Sequence, residues 1–81
     1  MTLKSTGLPI ICDGCGDPIH NHADAYVEWL EPAGGTASGV RIIHHLKGKM
    51  CFAYTRNPHR SDLHLTGVLA DKTLMKRLGL V

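Results

Sequence analysis

The sequence predicts a small α+β domain: an antiparallel sheet of about three strands with a short C-terminal helix. Three observations lead there. Two stretches rich in β-branched and aromatic residues, 23–31 (ADAYVEWLE) and 40–46 (VRIIHHL), flank a loop of glycine, serine and proline over 32–39. Near the C-terminus the apolar spacing changes from alternation to a helical stripe. The chain has 81 residues, enough for a single domain spanning 1–81.

The stretch LPIICDGCGDPI reads as an extended lead-in, a tight turn carrying Cys12 and Cys15, and an extended exit. Pro9 and Pro18 bracket that turn, and Gly14 and Gly16 supply its conformational freedom. Strands over 23–31 and 40–46 form a hairpin across the 32–39 loop. Residues 47–49 (KGK) turn into a third strand over 50–55 (MCFAYT), and 56–62 (RNPHRSD) form a loop. In the tail, Asp71 is the expected N-cap, with Leu74, Met75 and Leu78 as one apolar stripe. Lys76 and Arg77 complement the helix dipole in the last turn, and Gly79 is the stop. A helix this short is unstable alone, so it must dock on the sheet.

Composition asks for a staple. The chain is 43% apolar and 20% charged, ordinary for a globular domain, but only Tyr26, Trp29, Phe52 and Tyr54 are aromatic. A small aliphatic core supplies only about 3–5 kcal/mol at this length, so a metal or disulfide commonly assists. Three cysteines cannot all pair within one chain. The apolar run LPIIC before Asp13 is too short for a signal-peptide core, and no stretch reaches transmembrane length. The expectation is therefore a cytoplasmic location with reduced thiols, where Cys-x-x-Cys serves a metal or redox role.

Four soft donors in a tetrahedron suit zinc. CDGCG places two sulfurs on one side of a tight turn, and HHLKGKMC offers an imidazole and a third thiolate across a second turn. The expected set is Cys12, Cys15, Cys51 and one of His44 and His45, holding one structural Zn2+. Period-2 alternation groups Val40, Ile42 and His44 opposite Arg41, Ile43 and His45, and the preference of Arg41 for water favours His44 as the inward donor. Two simpler readings compete: Cys51 as a small buried hydrophobe, and Cys12–Cys15 as a redox pair. The redox motif belongs at the head of a helix, and Pro18 with the glycines argues for a loop instead. His20, His22, His59 and His64 lack a matching cysteine spacing and read as surface or capping side chains.

With CDGCG, a following hairpin, IIHH and a later Cys51, residues 10–55 resemble small bacterial and phage zinc-binding proteins of the zinc-knuckle or zinc-ribbon type. The resemblance implies one zinc site and no assigned activity. The chain departs from a regular ribbon because its second half-site is His and Cys rather than a second Cys-x-x-Cys. IIHH, Asn57 and then His59 or His64 also loosely resemble the order in HNH endonucleases. That family's second Cys-x-x-Cys and the helix following its asparagine are missing here.

Charge is uneven. Residues 1–31 set Lys4 against five acids, a balance of −4, and residues 32–81 set eight cations against Asp62 and Asp71, a balance of +6. The run 41–60 holds Arg41, Lys47, Lys49, Arg56 and Arg60 with no acid, interleaved with Phe52 and Tyr54. Such a run can contact phosphates and stack bases, or merely solvate a sheet edge. Asp13, Asp17 and Asp24 read as turn formers. A zinc with four protein ligands has no open position for catalysis. The reading is therefore a non-enzymatic structural-zinc module for protein interaction or regulation, with nucleic-acid binding through 41–60 as the alternative and no membrane association.

Overall fold

The computed structural model describes residues 6–46 and 48–80. It is a small α+β fold. A two-stranded antiparallel hairpin, β1 (Ile10–Ile11) and β2 (Pro18–Ile19), is followed by a 3-10 turn at His22–Asp24. Then come β3 (Ala25–Leu30), β4 (Ser38–Leu46), β5 (Lys49–Met50), β6 (Arg60–His64), α1 (Leu65–Leu69) and α2 (Lys72–Arg77). The larger sheet runs β5-β4-β3-β6, antiparallel throughout.

The expected hairpin forms, with Val27 opposite Ile42 and Tyr26 opposite Ile43. Residues facing one another across a ladder share a face of the sheet. One face carries Ala25, Val27, Trp29, Val40 and Ile42, which cluster with Ile10, Ile19, Leu65, Val68, Met75, Leu78 and Leu80. The other face carries Tyr26, Glu28, Arg41, Ile43, Asp62 and His64. Ile43 and Glu28 are both fully buried, so this second face is covered as well.

The 50–55 strand does not form. Only Lys49 and Met50 pair with β4, and 51–59 is an irregular strap. The cause is the Glu28 carboxylate, which accepts the backbone N–H of Ala53 at 3.0 Å and of Tyr54 at 3.1 Å. Donors that a strand would spend on a ladder are spent on a side chain. Part of the expected 56–62 loop is instead β6, paired with β3 over Arg60–His64. Its RSDLH sequence has no apolar alternation, because Arg60 and Asp62 pair with each other and Arg60 also reaches Glu28. Lys47, assigned to the turn, lies outside the described residues.

The C-terminal helix forms as expected and is preceded by a second one. Asp71 caps α2 by accepting the N–H of Leu74 at 3.1 Å. Gly79, at φ +74, lets its own N–H reach Lys76 O and the Leu80 N–H reach Met75 O at 2.9 Å. This pair of bonds is a Schellman end, and it tucks Leu80 into the core at 3% exposure. The extra helix α1 buries Leu65 and Val68, a single i, i+3 pair too brief to register as a stripe.

Glu28 also accepts from Arg41 Nη1 at 3.0 Å and Arg60 Nε at 3.3 Å. Burial opposes its ionisation, but the two backbone donors and two guanidinium groups outweigh burial and hold its pKa below the usual carboxylate value. We predict that Glu28→Gln costs about 3 kcal/mol in urea denaturation, because it leaves the half-buried Arg41 without its counter-charge and Arg60 with Asp62 alone. A folded pKa below the unfolded one means the carboxylate stabilises fully above about pH 4.3 and loses that contribution as pH falls through the depressed value. Glu28→Gln should therefore flatten the acid limb of the stability profile. A loss below about 1 kcal/mol would show that the carboxylate is not structural.

Candidate metal centre

The first half-site is the turn between β1 and β2. Cys12 donates its N–H to Asp17 O at 3.0 Å, and Gly16, at φ +80, returns its N–H to Cys12 O at 3.0 Å. This knuckle docks against the outer edge of β4. Asp13 exchanges with Ile42, donating its N–H to Ile42 O at 2.9 Å and accepting the Ile42 N–H on Oδ2 at 2.7 Å. The His44 N–H points to Cys12 Sγ at 3.4 Å, and the Cys51 N–H points to His44 O at 3.4 Å. Those bonds occupy the outward N–H and C=O groups of both Ile42 and His44.

The second half-site comes from β4 and the strap. Cys51 sits against the knuckle so closely that a Cβ on Gly14 would lie 2.3 Å from Cys51 Cβ. Arg41 joins the two halves: Nη2 donates to Asp13 O at 3.0 Å, and Nη1 donates to Cys51 O at 3.3 Å while also holding Glu28. One guanidinium thus touches the knuckle, the strap and the buried carboxylate.

These contacts bring Cys12, Cys15, His44 and Cys51 together, with one ligand atom from each lying within 4.8 Å of all the others. A tetrahedron with metal–sulfur bonds of about 2.3 Å has edges of roughly 3.8 Å, so only small adjustments are needed. His44 Nδ1 faces Cys15 Sγ at 3.3 Å, and Nε2 lies 3.3 Å from Pro18 O. With Nε2–H donating to that carbonyl, Nδ1 carries the lone pair toward the sulfurs, an orientation typical of metal-binding imidazole. The group could hold a metal ion.

The thiols are tuned apart. Burial opposes ionisation of Cys12, yet the backbone N–H groups of Cys15, Gly14 and His44, with the His44 side chain, outweigh it and lower the thiol to about 6. Burial, then hydrogen bonds and charge from Cys12 and Cys15, raise Cys51 to about 11. Crowded sulfurs do not all ionise without a counter-charge, and a divalent cation supplies it.

His45 is not in the group. It lies on the other face of β4, stacked on Tyr26 with ring centroids 4.0 Å apart and planes 8° from parallel. His64 meets Tyr26 edge-on and hydrogen-bonds its hydroxyl at 3.1 Å. His22 donates from Nε2 to Thr6 O at 2.7 Å, and His20 and His59 are exposed. Asn57 Oδ1 accepts the His59 N–H at 2.9 Å, closing a local turn. Period-2 alternation puts His44, not His45, on the side where the sulfurs lie, but its premise about Arg41 does not hold, since that guanidinium is largely buried against Glu28. Glu28 and Arg41 build the site without standing out in the sequence. The available signal is an acid in the middle of AYVEWL with an arginine two positions into the next strand.

No protein-family model, curated protein or solved structure matches this chain.

We predict that His44→Ala weakens metal binding by more than the roughly 10–100-fold typical of losing a supporting residue. His45→Ala should leave metal affinity unchanged while removing a ring stack worth about 0.5–1.5 kcal/mol. Competition with a chromogenic chelator reads the first effect and thermal denaturation the second. If the two substitutions weakened binding equally, His44 would not be a ligand.

Proposed function

We propose that this chain is a structural-zinc module, of the knuckle or ribbon kind, that serves protein interaction or regulation rather than catalysis. One observation carries the reading: the Cys3His group draws its donors from three separate segments of the chain, the knuckle, β4 and the strap. Zinc fits three thiolates and an imidazole better than the hard cations, which take oxygen donors. Four protein ligands complete a tetrahedron and leave no position for a reacting water, which supports a structural role.

The nucleic-acid alternative draws less support. Arg41 is spent on Glu28, Asp13 O and Cys51 O, and Arg60 on Glu28 and Asp62. Phe52 packs edge-on against Tyr26 beneath Arg60, and Tyr54 donates its hydroxyl to Gly39 O at 2.8 Å. Two of the five cations and both aromatics of the 41–60 run thus serve the fold. No helix among the described residues is long and apolar enough to cross a membrane.

Purified protein should contain about one zinc per chain by elemental analysis. Structural zinc contributes about 10–16 kcal/mol of apparent binding energy in small domains, so a strong chelator should lower the melting temperature sharply. Cys12→Ser and Cys51→Ser should reproduce the chelated state. A chain that bound no zinc, or that melted at the same temperature with and without it, would refute the structural role. Titration with short DNA and RNA at low salt tests the alternative; steeply salt-dependent binding would favour it over protein interaction.

A further inference from the structure

We propose that Cys15 is an oxidative modification site, through which an oxidant of the peroxide class opens the metal centre. The proposal rests on the zinc reading of the Cys3His group and concerns how that site is regulated. Its basis is an asymmetry among the three sulfurs.

Cys12 is 2% exposed, and its sulfur accepts the N–H of Gly14 at 3.3 Å and of His44 at 3.4 Å. Cys51 is half-buried beneath Gly14, at a distance that leaves no room for a β-carbon at position 14. Cys15 alone of the three is exposed. A small oxidant therefore meets Cys15 first, and reactivity of a thiolate follows access.

Placement also selects the resolving partner. The Cys12 and Cys51 sulfurs both lie within 4.8 Å of Cys15 Sγ, so an oxidised Cys15 has a second thiolate at hand. Cys12 shares its turn, closed by the Gly16 N–H to Cys12 O bond at 3.0 Å, so a Cys12–Cys15 bridge needs no movement of the strap.

In the first step the Cys15 thiolate attacks hydrogen peroxide. The S–O bond forms, the O–O bond breaks, and the departing hydroxide takes a proton to become water. Cys15 sulfur is oxidised by two electrons to sulfenic acid, and both peroxide oxygens are reduced, one ending on sulfur and one in water. In the second step the Cys12 thiolate attacks Cys15 Sγ; the S–S bond forms, the S–O bond breaks, and hydroxide again leaves as water. Two thiolates, one peroxide and two protons give one disulfide and two waters.

Only His44 and Cys51 then remain as donors, and a two-ligand site does not retain zinc against solvent. The strap keeps its bonds to Glu28 at Ala53 and Tyr54, so it loosens from the Cys51 end while held at its middle. Oxidation would thus separate the knuckle from the strap, two segments that Arg41 and the metal otherwise hold together.

The test uses the zinc-loaded full chain, hydrogen peroxide, a zinc-sensitive dye and peptide mapping by mass spectrometry. Zinc content is measured first. Wild type should release its zinc with formation of a Cys12–Cys15 disulfide. Cys15→His, which keeps four donors, should hold about one zinc and release it at least ~10-fold more slowly. His45→Ala, on the opposite face of β4, should release zinc at close to the wild-type rate. Equal rates for wild type and Cys15→His, or a bridge between Cys12 and Cys51, would overturn the proposal. A chain without zinc would instead defeat the metal reading. Trapping the first sulfenic acid with dimedone then decides for Cys15 or against it.

Discussion

A carboxylate with no exposed surface organises this domain. Glu28 sits in the central strand β3 and takes hydrogen bonds from two backbone N–H groups of the strap and two arginines. Leaving such a group unpaired in the interior is far costlier than leaving an apolar one, so its partners are not interchangeable. Arg41 must remain on β4, Arg60 on β6, and residues 53–54 must cross overhead. That requirement dictates the course of the chain between Met50 and Arg60, and with it the position of Cys51. The Cys3His group depends on an ion-pair network that contributes no donor to it.

The same network explains where the sequence is legible and where it is not. The β3–β4 hairpin announces itself because its apolar residues are pinned between glycine-rich and proline-bearing turns. The knuckle does so because Cys-x-x-Cys-Gly has a narrow set of geometries. Asp71 and Gly79 mark the limits of α2 by local chemistry that needs no tertiary context. The strap misleads because Met50, Cys51 and Phe52 carry the composition of a strand, while a glutamate more than twenty positions away takes its backbone donors. β6 misleads in the opposite sense, since its interactions are charged and its sequence reads as a loop.

His44 and His45 show the limit of alternation as a guide. Neighbouring residues on a strand face opposite ways, so only one imidazole could join the sulfurs, and the period identifies that constraint directly. It does not say which face is inward when both are covered. Ile42 and Ile43 face opposite ways and are each at most 1% exposed. Placing Arg41 in water is therefore a sound rule applied where a buried counter-charge cancels it.

The docking of the knuckle has a consequence for how the folded chain behaves among its own copies. A strand at the border of a sheet offers unpaired N–H and C=O groups on which another chain can grow. On β4, the longest strand, Asp13 occupies those groups at Ile42, while Cys12 Sγ and the Cys51 N–H occupy them at His44. The residues that bring the sulfurs together also seal this border. Detaching the knuckle would return the outward N–H and C=O groups of Ile42 and His44 to solvent. The knuckle thereby guards the longest strand against edge-to-edge pairing with its own copies.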